Sequence, residues 1–299
     1  MGRTNKKPRG KLFPAGAAAL AITVAAFMIR TNAAESIAVS DLTRQTHIHG
    51  LAIDRQDPSR LLIATHHGLF SAGADGKAER VSPVQDFMGF TPHPSDPNRL
   101  YASGHPAQGG NLGFIASEDR GRTWTQVSPG ANGPVDFHQM TVSPADPQTI
   151  YGTHRGLQVS RDAGKTWTIV GPGPEGLIDL AGSAKSRDTL YAATQSGLLV
   201  STDAGRSWIP LAQGAPVSLV EVTPEGTLYA FVLGRGLVKA AEPPVGFETI
   251  SSGFGDGYLL HLAADPTNPK RVFAATNGGK LLSSIDQGRT WTALDQPNL

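Results

Sequence analysis

Nine histidines, four methionines and no cysteine define the chemistry open to this chain. Without a thiol there is no disulfide, thiolate metal site, cysteine nucleophile or lipid on an N-terminal cysteine. Any transition metal must fall to His, Met or carboxylate. Counting back from the Asp of three turns (Asp57-Pro58, Asp96-Pro97, Asp146-Pro147), the residue eight earlier is His49, Met88 and His138 in turn. The residue ten earlier is His47, Asp86 and Asp136. Side chains two apart on a strand point to the same side, so each unit offers two polar or soft groups at one strand end. A second recurring position carries His66 and His67, His105, and His154 with Arg155. Imidazole with thioether and no thiolate favours copper over calcium or magnesium, with zinc second. The expected metal-binding set is His47, His49, His66, His67, Met88, His105, His138 and His154, with His49 and His138 as ligands. Asp86 and Asp136 would orient imidazole N–H groups from the outer shell.

The elements that must position these residues repeat along the chain. An apolar stretch, an Asp-Pro-type turn, a second apolar stretch, a Gly turn and a third stretch recur from Thr46 onward. The second stretches begin at Leu61, Leu100, Ile150, Leu190, Leu228 and Val272, spaced by 39, 50, 40, 38 and 44 residues. Periods near 40 to 50 with short strands indicate a β-propeller. The fold expected is all-β: a six-bladed propeller of four-stranded antiparallel blades over residues 45–299. Tyr101, Tyr151, Tyr191 and Tyr229 share one slot with Leu62 and Phe273, a packing column that leaves only Tyr258 for chemistry. In such a blade the chain starts its first strand on the face where it passes from second to third. All seven histidines of the two positions therefore converge on one rim. His93 is expected to be solvated on the opposite face, and His261 to pack between blades.

The third strands lead into SxDxGx(T/S)W, with Ser117, Asp119, Gly121 and Trp124 followed by versions ending at Trp167, Trp208 and Trp291. Asp accepts backbone hydrogen bonds in a tight turn, Gly supplies positive φ, and Trp packs on the blade edge. Blade one has a degenerate version, Ala74-Asp75-Gly76-Lys77, and blade five none. The motif resembles the Asp-box, or BNR, repeat of sialidases, sortilin-type receptors and related bacterial propellers, over residues 45–295. The HIHGLA, THHGLF, DFMGF, SGHP and DFH segments look like a His-rich bacterial branch commonly labelled glycosyl hydrolases. That resemblance implies a glycoside hydrolase acting on carbohydrate as the alternative to a metal- or small-ligand-binding protein, with Asp86 and Asp136 as its carboxyl pair. Sialidase chemistry is disfavoured: the family's FRIP segment is absent and only Arg155 and Arg235 reach the face. A protein-binding scaffold, as in sortilin-like receptors or photosystem assembly factors, is the third reading.

Residues 1–33 carry Arg3, Lys6, Lys7, Arg9 and Lys11 before a small and apolar run from Ala15 to Ile29, the order of an export signal or an uncleaved anchor. An extracytoplasmic location, periplasmic or secreted, is expected, with membrane contact only through that segment. Residues 34–44 are expected to be a linker or a strand closing the ring against the last blade. Without residues 1–33 the chain carries 20 basic against 25 acidic side chains, a net of −5. A domain of that charge with no basic run is unsuited to nucleic acid.

Overall fold

The computed structural model describes residues 1–2 and 36–295. The export segment expected over residues 1–33 lies outside the described residues, apart from Met1 and Gly2. After β1 (Ser36–Ala38) and α1 (Val39–Gln45), twenty-four strands form six consecutive four-stranded groups. Blade one is β2 (Ile48–Ile53), β3 (Leu61–Thr65), β4 (Gly68–Ala72) and β5 (Lys77–Arg80). Blade two is β6 (Met88–Pro92), β7 (Leu100–Ser103), β8 (Phe114–Ser117) and β9 (Thr125–Ser128). Blade three is β10 (Gln139–Val142), β11 (Ile150–Thr153), β12 (Leu157–Ser160) and β13 (Thr168–Gly171). Blade four is β14 (Leu177–Gly182), β15 (Leu190–Thr194), β16 (Gly197–Ser201) and β17 (Ile209–Gln213). Blade five is β18 (Val217–Val222), β19 (Thr227–Val232), β20 (Gly236–Ala241) and β21 (Glu248–Ser251). Blade six is β22 (Leu259–Ala264), β23 (Val272–Thr276), β24 (Leu281–Ser284) and β25 (Thr292–Ala293). The protein is a six-bladed β-propeller, almost entirely sheet.

The strands form where apolar residues run or alternate between Asp-Pro and Gly turns, and the pairing within each blade is antiparallel between chain neighbours. Tyr101, Tyr151, Tyr191 and Tyr229 are all buried in the second strands, as is the Phe273 of the same slot. The SxDxGx(T/S)W turns repeat one geometry. In all four, the Ser Oγ donates to Asp Oδ1 at 2.8 Å and accepts the Gly N–H at 2.8 Å. The turn also seals blade to blade. Gly164 has φ +85°, and a Cβ there would stand 2.0 Å from Phe114 of the preceding blade. No L side chain fits that approach.

Residues 36–38 do not pair with the last blade. They add a fifth strand to the outer edge of blade one, with Ser36 opposite Glu79 and Ala38 opposite Lys77. What meets blade six is the helix that follows. Val39 and Leu42, three apart on α1, are buried with Leu51 and Ile53 of blade one and Ala263, Phe273 and Leu281 of blade six. The junction where the ring's two ends meet is thus covered by apolar packing rather than by a shared strand, and β1 shields the outer edge of blade one.

Candidate functional site

Each rim residue is held by a buried neighbour. Phe87 and Phe137 are fully buried, and their rings lie 4.8 Å, centroid to centroid, from Trp124 and Trp167 respectively. Those contacts anchor the residue just before each Phe, Asp86 and Asp136, at the seam between consecutive blades. The Asp86 N–H donates to His105 O at 3.0 Å and the Phe87 N–H to Thr65 O at 3.1 Å, which ties the segment to blades two and one at once. Gly104 lies beneath it with φ +121°, where a Cβ would meet Asp86 O at 2.2 Å. The Ser103 hydroxyl does the same work at the next seam, accepting from Phe137 N at 3.0 Å and donating to Gly113 O at 2.9 Å.

At the first seam, between blades one and two, Asp86 Oδ2 lies 3.1 Å from His66 Nδ1. That hydrogen bond places the His66 proton on Nδ1, so its Nε2 carries a lone pair. Nε2 faces His49 Nε2 at 3.1 Å. Asp86 Oδ1 is 3.9 Å from His49 Nε2 and is buried without a hydrogen-bond partner. Among the described residues, His49, His66 and Asp86 are the one group of His, Asp or Glu whose ligand atoms all lie within 4.8 Å of one another. Burial, helped by His66, His261, His47 and His138 nearby, pulls the His49 pKa down to about 3, so its ring is neutral at ordinary pH.

The second seam, between blades two and three, is arranged differently. Asp136 Oδ2 is shared by His105 Nε2 at 3.1 Å and His138 Nε2 at 3.0 Å. The other nitrogen of His105, Nδ1, lies 2.7 Å from Gly110 O, inside the Gly-rich insertion. With an oxygen acceptor beside both nitrogens, the doubly protonated ring is favoured. Its pKa is raised accordingly, first by the Gly110 carbonyl and then by Asp136 and Asp86.

The remaining predicted residues are placed as follows. His47 is exposed with its ring 5.6 Å from that of His66. His67 is exposed, and its backbone N–H rather than its ring is engaged, on Thr65 Oγ1 at 3.0 Å. The His154 Nδ1 lies 3.0 Å from the backbone oxygen of Asp136 and 3.3 Å from its backbone nitrogen, at the start of the inner strand. His138 lies on the carboxylate of its own blade, with Nε2 3.0 Å from Asp136 Oδ2. Met88 is half-buried at the start of β6. One expectation needs correction. His93 is buried rather than solvated, because its Nδ1 accepts the N–H groups of Ser95 and Asp96 at 3.2 and 2.9 Å and so closes its own turn. His261 bridges blades, with Nε2 3.0 Å from Ile48 O.

The inner strands enclose an axial cavity of about 150 Å3 whose lining includes His49, His138, His261, Asp179 and Glu221. Two of these acids escaped the sequence reading. Burial raises the Asp179 pKa to about 7 and that of Glu221 to about 8, the latter also through Asp179. Asp179 caps the backbone N–H groups of Leu180 and Val220, each at 2.9 Å. The available signal was an acidic residue inside otherwise apolar inner strands, LIDLAG and VSLVEV.

No protein-family model matches the chain, and no curated protein matches it. Solved structures do. It is similar to a GH74 enzyme of Niastella koreensis, with TM-score 0.59 and 17% identity, over 83% of this chain and 45% of that one. The GH74 xyloglucanase of Xanthomonas campestris follows at TM-score 0.53 and 20% identity, over 83% and 45%. The chain thus spans less than half the length of those enzymes. A nidogen/laminin complex matches with TM-score 0.57 and 12% identity, over 78% of this chain and 91% of that one. YCF48 bound to a D1 peptide matches at TM-score 0.50 and 17% identity, over 87% and 84%. At these identities the likeness establishes the fold alone: the chain is built as a β-propeller.

Proposed function

We propose that this protein is an exported Asp-box propeller that binds one divalent transition metal ion at the first seam, through His49, His66 and Asp86. The carrying observation is the pair of imidazole Nε2 atoms 3.1 Å apart beside a buried carboxylate oxygen that lacks a partner. Two nitrogens on one zinc-type ion, each at about 2.0–2.1 Å, lie roughly 3.3 Å apart in tetrahedral geometry. A cation there would satisfy Asp86 Oδ1, and the Asp86 Oδ2 bond already turns His66 to present its lone pair. Both supports are geometric. Copper ranked first on the sequence because of the thioether. The donors of the group are two imidazoles and a carboxylate, which suit copper(II) and zinc alike. The four matching turns support the Asp-box assignment, and the basic-then-apolar N-terminus supports export.

Equilibrium dialysis of the purified protein against zinc and copper tests this. One equivalent is expected, with affinity falling at least 100-fold in His49→Ala or His66→Ala and about 10- to 100-fold in Asp86→Asn. Retention of less than one equivalent, or equal affinity in the alanine variants, overturns it. The GH74 neighbours favour glycoside hydrolysis as a second reading at the level of fold. Such chemistry needs two carboxyl groups flanking a scissile bond, whereas Asp86 and Asp136 are both covered by imidazoles. Peptide or protein binding, as in YCF48 and the nidogen/laminin complex, is the third.

A further inference from the structure

The axial cavity holds two acids that neither seam uses. Asp179 and Glu221 stand on the inner strands of consecutive blades, β14 and β18, and line the same space. Asp179 is saturated, since its two oxygens accept the N–H groups of Leu180 and Val220, each at 2.9 Å. Glu221 is not. Among the described residues its carboxyl makes no hydrogen bond, and Asp179 is the one charged group that bears on it. Protein encloses the side chain, and the exposure it keeps is to the cavity it lines. A carboxyl sunk in this way without a partner is costly unless it holds a proton or a cation.

The basic side chains that line the cavity are spent elsewhere. Arg55 donates to the carbonyl oxygens of His93, Pro94 and Asp96 at 2.6, 2.9 and 2.6 Å. His93 Nδ1 closes its own turn. The Nε2 of His261 lies on Ile48 O, and burial holds that ring neutral. His49 and His138 have their Nε2 atoms beside His66 and Asp136. A cation for Glu221 must therefore come from outside, and the cavity gives it a way in: His138, with 66% of its side chain exposed, is part of the lining, so the space opens at the histidine rim. The volume of about 150 Å3 is that of a benzene-sized guest. Each inner strand is also an edge of its sheet, so unpaired backbone carbonyls face the axis and can accept further N–H groups. With both Asp179 oxygens engaged, a single anionic ligand remains, which suits the one charge and three donors of an ammonium group better than a divalent ion.

We propose that the axial cavity binds a small primary amine, with the Glu221 carboxylate receiving its ammonium group. This site is separate from the metal group of the first seam and does not rest on it. In the amine-free protein, burial and then Asp179 push the Glu221 pKa up to about 8, so the acid holds its proton at pH 7. The ammonium takes the place of that proton, which leaves for solvent; no covalent bond forms or breaks.

The test titrates n-butylamine calorimetrically into full-length protein, with a chelator present so that no metal recruits the amine. Saturable binding of one equivalent is expected. The same titration at pH 7 in two buffers of different ionisation enthalpy should show proton release on binding. Butan-1-ol, of similar shape without the charge, should bind at least about 10-fold more weakly. Glu221→Gln should weaken butylamine at least about 10-fold and abolish the proton release, and Glu221→Asp, which keeps the carboxyl, should bind more tightly than the Gln variant. Absence of saturable binding, butanol bound as tightly as butylamine, or affinity that survives Glu221→Gln but falls in His49→Ala overturns the proposal. The amine against alcohol comparison and the proton release are read on the wild-type protein, so they decide the matter even if the Gln variant fails to fold. Failure of zinc to bind in the dialysis overturns the metal reading and leaves this one standing, and the loss of amine binding does the converse.

Discussion

The first and second seams are rotational copies of one construction, yet their histidines are spent in opposite ways. In both, an aromatic residue buried against a tryptophan sets an aspartate at the join, and a histidine from the turn after the second strand reaches it. His66 meets its carboxylate through Nδ1 and keeps Nε2 for His49. His105 meets its carboxylate through Nε2, because Gly110 O holds Nδ1. One ring flip separates an imidazole whose Nε2 faces a second imidazole from one with both nitrogens beside oxygens. Repetition of sequence thus copies a scaffold without copying the chemistry on it.

The contrast is broken most forcefully by acid. The two seams should answer pH with opposite sign. The pKa of His49 is depressed to about 3 and that of His261 to about 4, both mainly by burial. The unfolded chain, near 6.5, binds protons first as pH falls, so stability drops between about pH 6.5 and pH 3. The loss should reach a few kcal/mol, after allowance for the partial exposure of His49. Urea unfolding midpoints measured from pH 7 to pH 4 should fall, and a His49→Gln, His261→Gln double variant should flatten the curve. A wild-type midpoint that stays level over that range would show that neither ring is held neutral. His105 behaves conversely. Its folded pKa is raised, so its ion pair contributes fully below the unfolded value near 6.5 and fades as pH rises through the higher folded value. With 41% of the side chain exposed, the contribution should stay under about 1 kcal/mol. The difference in unfolding free energy between wild type and His105→Gln should be larger at pH 5.5 than at pH 8.5; the reverse trend would refute the imidazolium.

The smallest expected change sharpens the comparison furthest. Met88→His puts at the second seam the imidazole that the first seam has at His49. Dialysis should still find one equivalent of metal, since His105 has no nitrogen to give. Two equivalents would mean that side-chain identity at position 88, rather than ring orientation, separates the seams.

Much of this was legible in the chain. The six second-strand starts found by spacing all fall at or within one residue of the observed strand starts, because an apolar stretch bounded by Asp-Pro and Gly turns has few other ways to bury itself. Asp86 and Asp136 stand where counting from the turns placed them. The partners were less legible. His49 and His138 share a repeat position, but His49 meets the His66 ring whereas His138 lies on Asp136, and which partner each ring meets is a property of packing. The N-terminal segment was misplaced for a similar reason. Its short apolar strand fits either sheet edge, and the burial of Val39 and Leu42 at the junction decides which.

The sequence by itself determined the blade, since period, turn chemistry and the tyrosine column are local and repeat. Only the tertiary structure decided which partner each imidazole nitrogen faces. That choice depends on single carbonyl and carboxylate oxygens brought within about 3 Å by packing between blades, a distance that hydrogen bonding resolves and residue spacing does not.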